Sequence, residues 1–147
     1  MKPSYEYIAG IIDGEGYIGI TRACANEHLN VVVAVSMTDP RVPYALKEVY
    51  GGSVVETSRK ENHKNVFTWK VWAKKAEYCL ETIEPFLVVK LDQCKTALEL
   101  RHSITGSGIM SRGISKNRDK DQNILVFRNS LKEKINKLNN RVFLVNA

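Results

Sequence analysis

The hydrophobic pattern of this chain changes period repeatedly, and each change marks a predicted element. An apolar, small-residue run from Tyr5 to Asp13 predicts a helix, with Ser4 as its N-cap. Tyr17 to Ala25 and Asn30 to Thr38 alternate as two strands joined by the polar turn Asn26-Glu27-His28. The stretch Val31 to Val35 is too short and too β-branched for a helix. Asp39, as a cap, and Pro40 open a helix that runs through Tyr50 and ends at Gly51-Gly52. Ser53 to Arg59 and Asn65 to Ala73 form a second hairpin around Lys60 to His63. Lys75 to Ile83 is helical, Pro85 breaks it, and another helix is expected from about Phe86 to His102. Thr105 to Gly108 opens a flexible, basic loop, and Asn123 to Leu138 is a last amphipathic helix.

This order, αββαββα with added C-terminal helices, is an α+β arrangement. No internal repeat or low-complexity linker divides the chain, so one domain is expected over residues 1–147: a core at 1–102, a basic flexible loop at 103–122 and a C-terminal helix at 123–147. Strand alternation assigns Ile18 and Ile20 inward and Tyr17, Gly19, Thr21 and Ala23 outward, with Arg22 breaking the alternation near the strand end. In the second strand Val31, Val33 and Val35 look inward, and Asn30, Val32, Ala34 and Ser36 outward. Thr57 and Arg59 are the outward choices in the third, and Thr68 and Lys70 in the fourth.

Composition narrows the class. At 147 residues a chain can bury about 68–70% of its unfolded surface. A hydrophobic share of 44% describes a globular protein, and no apolar run reaches the ~18–20 residues of a membrane helix. Met1 to Tyr5 runs straight into the first helix without a signal-peptide pattern, so an intracellular setting is expected. Cys24, Cys79 and Cys94 are odd in number and widely spaced, which fits free, mostly buried thiols in a reducing compartment. With His28, His63 and His102 equally scattered, no zinc site is expected. The net charge of +6 is the footprint of a nucleic-acid binder, and is densest from Arg112 to Lys120.

The candidate chemistry lies in Ile8-Ala9-Gly10-Ile11-Ile12-Asp13-Gly14-Glu15-Gly16. Gly10 and Gly14 stand four apart and leave a helical face nearly bare, which lets a second helix approach. Asp13 and Glu15 then fall at the helix C-terminus, where carboxylates oppose the macrodipole and a divalent cation would compensate.

These nine residues resemble the LAGLIDADG motif of the homing endonucleases, with Ile8 and Ile11 for its leucines, Gly14 for its second alanine and Glu15 for its final aspartate. The resemblance extends more loosely over roughly the first hundred residues. It implies a four-stranded antiparallel sheet, backed by helices, as a saddle on double-stranded DNA. The motif occurs once, and single-motif members are homodimers, which puts Ile8, Ala9, Gly10, Ile12 and Asp13 at the expected dimer interface. Glu15, with the Gly14 carbonyl, would hold Mg²⁺ or another divalent cation such as Mn²⁺ against the scissile phosphate. Asp13 is the better candidate for bracing a neighbouring helix than for binding metal.

Ile83 to Leu91 carries a second point of resemblance. Pro85-Phe86-Leu87 matches a turn common in the family, and Lys90 falls where members place a lysine that reaches toward the active site. Such a residue stabilises developing charge or activates water. The family's polar residue near the end of the second strand is matched by Met37, a departure that leaves Ser36 or Thr38 to take the solvent role, or leaves the position idle. On the expected DNA face the contacts would come from Tyr17, Thr21, Arg22, Asn30, Ser36, Thr57, Arg59, Thr68 and Lys70, with Arg112, Lys116 and Arg118 of the basic loop on phosphates. The resulting expectation is a Mg²⁺-dependent homodimeric endonuclease on a long near-palindromic target, free-standing and intron-encoded, since no intein splicing element is present. The alternatives are a non-catalytic nucleic-acid binder on the same fold, such as an intron maturase or DNA-binding regulator, and a basic protein-interaction domain that merely dimerises.

Overall fold

The computed structural model describes residues 2–22, 28–58, 60, 63–105 and 122–140. Helix α1 spans Tyr5–Glu15 and starts as expected, with the Ser4 hydroxyl accepting from the Tyr7 amide at 3.3 Å. It passes without a linker into strand β1, Gly16–Arg22. A Cβ at Gly16 would stand 2.6 Å from the Ile12 backbone, so the junction admits only glycine without movement of the helix. Strand β2 is Leu29–Met37, helix α2 Arg41–Tyr50, strand β3 Ser53–Thr57 and strand β4 Val66–Trp72. Ala73, at φ +50°, turns β4 directly into α3, Ala73–Ile83. A 3-10 turn at Glu84–Phe86 leads to α4, Leu91–Thr105, and α5 is Gln122–Asn139.

The four strands form one antiparallel sheet in the order β1-β2-β4-β3. Its inward face carries Ile18, Ile20, Val31, Val33, Val35, Trp69 and Val71, which pack with Ile8 and Ile12 of α1, Leu46 of α2, Leu80 and Ile83 of α3 and Ile135 of α5. The Trp69 indole donates to the Gly51 carbonyl at 2.9 Å and anchors the turn that ends α2. Helix α5 covers the β1 edge: Asn139 Nδ2 donates to the Ile18 carbonyl at 2.9 Å, closing part of an open row of backbone acceptors. Arg128 ties α5 to α4 through the Ser103 carbonyl at 2.9 Å. Among the described residues no helix is long and apolar enough to cross a membrane.

Most element ends shift by one or two residues from the sequence pattern, and three differences matter more. The helix expected from about Phe86 begins only at Leu91, because the Asp13 carboxylate takes the amides of Val88 and Lys90 and holds 87–90 out of helical geometry. Helix α4 then runs past the expected core boundary at 102 to Thr105. Asp39 does not cap α2 in the usual register: Pro40 is the N-cap residue, and Asp39 Oδ1 accepts instead from the Arg41 amide at 3.0 Å.

Candidate active site and sheet face

The end of α1 gathers the residues of interest from the peptide upward. Ile8, Ala9 and Ile12 all have no exposed surface; they are the helix's inward stripe and pack in the chain's own core. In the single chain they thus leave no open surface for a second helix, where the sequence expectation had placed them at a dimer interface. The open strip of α1 is Tyr7, Gly10 and Gly14, flanked by half-buried Ile11. A Cβ at Gly10 or Gly14 would meet nothing within 4 Å. Beside this strip lies a mainly apolar groove of about 390 Å³, lined by Tyr7, Ile8, Ile11, Met37, Val42 and Leu46 among others.

Asp13 and Glu15 differ in environment. The Asp13 carboxylate accepts from the amides of Val88 at 2.8 Å and Lys90 at 2.9 Å, one on each oxygen, which fastens the loop before α4. The Lys90 ammonium donates to the Asp13 carbonyl at 2.6 Å. Burial lowers the Lys90 pKa below its ordinary value, against the opposing pull of Asp13 and Glu15. Glu15 is exposed, and so is Gly14. The set offers one free carboxylate and nearby main-chain oxygens, which fit a hard cation that keeps several waters or phosphate oxygens as ligands. A separate grouping, Glu77, Glu81 and His102, brings three potential ligand atoms within 4.8 Å on α3 and α4. Both Arg101 hydrogen bonds fall on one oxygen of Glu77, at 3.0 and 2.9 Å, so that carboxylate already serves a buried ion pair.

The strand register settles which residues share the outward face. Its rows are Thr21–Asn30, Gly19–Val32–Trp72, Tyr17–Ala34–Lys70–Ser53, Ser36–Thr68–Val55 and Thr57–Val66. Thr21, Ser36, Thr57 and Lys70 are exposed, Asn30 and Thr68 half-buried, and the Ser36 and Thr68 hydroxyls lie 2.8 Å apart. Two expectations change. Arg22 pairs with Leu29 and shares the parity of Ile18 and Ile20; its guanidinium donates to Asn129 Oδ1 on α5 at 3.3 Å instead of reaching outward. Gly19 is not open for close approach, because the Tyr17 ring lies over it. Ala23, Arg59, Arg112, Lys116 and Arg118 lie outside the described residues.

Met37 pairs with Phe67 on the inward side and lines the α1 groove, so the departure noted in the sequence is an apolar contact and not a solvent-facing group. Trp72, Val55 and Ser53 were missed. Trp72 carries the parity of Thr68 and Lys70 two residues further, a signal obscured by its place beside the following helix.

Comparison of the sequence with protein-family models and with curated proteins gives no match. Solved structures do match. The homing endonuclease I-CvuI, determined with its DNA target in the presence of calcium, aligns at TM-score 0.69 and 17% identity over 95% of this chain and 83% of that one. An archaeal intron-encoded homing endonuclease complexed with DNA aligns at 0.70 and 18% over 97% and 88%. The LAGLIDADG homing endonuclease I-SmaMI, bound to cleaved DNA, aligns at 0.70 and 18% over 92% of this chain and 45% of its own. The chain thus has the LAGLIDADG homing endonuclease fold.

Proposed function

We propose that this chain is a site-specific endonuclease of double-stranded DNA that works as a homodimer with a divalent cation, Mg²⁺ or Mn²⁺, on a long near-palindromic target. The observation that carries the reading is the junction of α1 and β1. There an exposed carboxylate, Glu15, ends a helix with a bare glycine strip, and the chain continues directly into the edge strand of a sheet whose outward face carries Thr21, Asn30, Ser36, Thr57, Thr68 and Lys70. Two copies crossing on the strip of Tyr7, Gly10 and Gly14 would bring two Glu15 side chains together and set two sheet faces along one duplex. A bound cation would neutralise charge at the scissile phosphate and make water more acidic. Glu15 and the Gly14 carbonyl would hold it; Lys90, with its lowered pKa, stands within electrostatic reach of Glu15 to balance charge or exchange a proton with solvent. Lys70, Asn30, Ser36, Thr57 and Thr68 would contact the grooves and backbone.

The apolar placement of Met37 favours a second reading, a nucleic-acid binder without cleavage, such as a maturase or regulator. One experiment separates them: incubation with a randomised duplex library, with and without Mg²⁺, beside Glu15→Gln. Metal-dependent cutting at one pseudo-palindromic sequence, lost in the variant, supports the endonuclease. Salt-sensitive binding without cutting supports the second reading. Absence of salt-sensitive binding would leave only a dimerising interaction domain.

A further inference from the structure

The outward sheet face mixes polar and apolar positions, and its two exposed aromatic rings fall in one band across it. Gly19, Val32 and Trp72 are cross-strand partners, and Tyr17 and Ala34 begin the next row. Val32 and Ala34 point away from the helices, yet are only 5% and 8% exposed, while Tyr17 and Trp72 are 43% and 45% exposed. The Tyr17 ring fills the space above Gly19, so that a Cβ there would fall 2.5 Å from a ring carbon. Two half-exposed aromatic rings therefore rise above a floor of small, covered residues. Trp72 is the last residue of β4, and the left-handed Ala73 that follows turns the chain at once into α3. Polar pairs bound the band, Thr21–Asn30 on one side and Ser36–Thr68 on the other.

The core lies on the opposite face and does not account for this band. On a surface apposed to a duplex it has a specific use. The major-groove edges of base pairs present hydrogen-bonding groups except at C5 of the pyrimidines, where thymine alone carries a methyl group that an apolar surface recognises. Duplex RNA lacks that methyl and hides its major groove. We infer that, within the DNA interface proposed above and resting on it, Trp72 and Tyr17, seated on the covered Val32, form a methyl-reading band that requires thymine at the facing positions of each half-site.

The test begins with the preferred duplex selected from a randomised library. Each thymine is then replaced singly by deoxyuridine, which removes the methyl and nothing else, and binding is measured for wild type, Trp72→Gln and Trp72→Phe. At one or two thymines per half-site the wild type should lose about fourfold in affinity, the worth of one buried methyl. Trp72→Gln should abolish that loss and Trp72→Phe retain it, with an unchanged salt slope showing that each variant still folds. A wild-type series in which no uridine matters overturns the inference whatever the variants do, as does an equal uridine loss in wild type and Trp72→Gln; both leave the DNA reading standing. Failure to select any preferred duplex overturns the DNA reading itself, and this inference with it.

Discussion

Asp13 and Lys90 are joined twice, Lys90 donating each time: its amide to the Asp13 carboxylate at 2.9 Å, and its ammonium to the Asp13 carbonyl at 2.6 Å. The clasp ties the C-terminal end of α1 to the start of α4 across 77 residues of sequence. Asp13→Ala would leave the amides of Val88 and Lys90 without their acceptor. It should lower stability by about 1–3 kcal/mol in urea denaturation, with Asp13→Asn costing less because one acceptor oxygen remains.

Lys90 should leave a signature in the pH dependence of stability. Its folded pKa lies below its ordinary value of 10.5, chiefly because of burial. The unfolded chain then binds this proton more tightly, so unfolding takes one up, and stability rises with pH across the interval between the two values. The cost is fully present below the folded value and relieved toward 10.5. Melting curves from neutral to alkaline pH should show this rise in wild type and not in Lys90→Met.

Glu15→Gln should move stability and activity in opposite directions. An exposed carboxylate at a helix C-terminus opposes the macrodipole, so its removal should stabilise by about 0.3–1 kcal/mol in chemical denaturation. Cleavage should disappear. A loss of both would mean that Glu15 is structural.

The glycine strip separates folding from association. Gly10→Ala should be neutral or stabilise the isolated chain by up to about 1 kcal/mol, since the added methyl meets nothing and helix propensity improves. Gly10→Leu should fold equally well and, by sedimentation, shift the proposed dimer to monomer.

The two described cysteines should be inert. Burial pushes the Cys94 thiol up to about 12, and the Cys79 thiol upward as well. Alkylation followed by peptide mapping should leave both unmodified in the native protein at neutral pH and modify both in denaturant.

Much of this architecture is legible in sequence because it is local. Period-two alternation places Thr57, Thr68 and Lys70 on one face, and the glycine spacing in α1 marks an open strip. What escaped depends on contacts distant in sequence. Nothing near Phe86 announces that Asp13 will hold 87–90 out of a helix, and nothing near Arg22 announces Asn129. The motif itself shows small residues but not which stripe of them the core claims. Ile8, Ala9 and Ile12 are taken by the sheet and α3, and only the glycine side remains.

The unbroken passage from α1 into β1 has a consequence for how such a protein would diverge. With Glu15 and Gly16 adjacent, the distance from the exposed Glu15 carboxylate to each outward residue of β1 is a covalent ruler, graduated at roughly 3.3 Å per residue. Gly16 locks its zero mark, because any side chain there collides with the Ile12 backbone. On the proposed function, new target sequences would be open to this scaffold by exchanging the residues along the ruler. On the endonuclease reading proposed above, a new spacing between the cut and the bases read would not be.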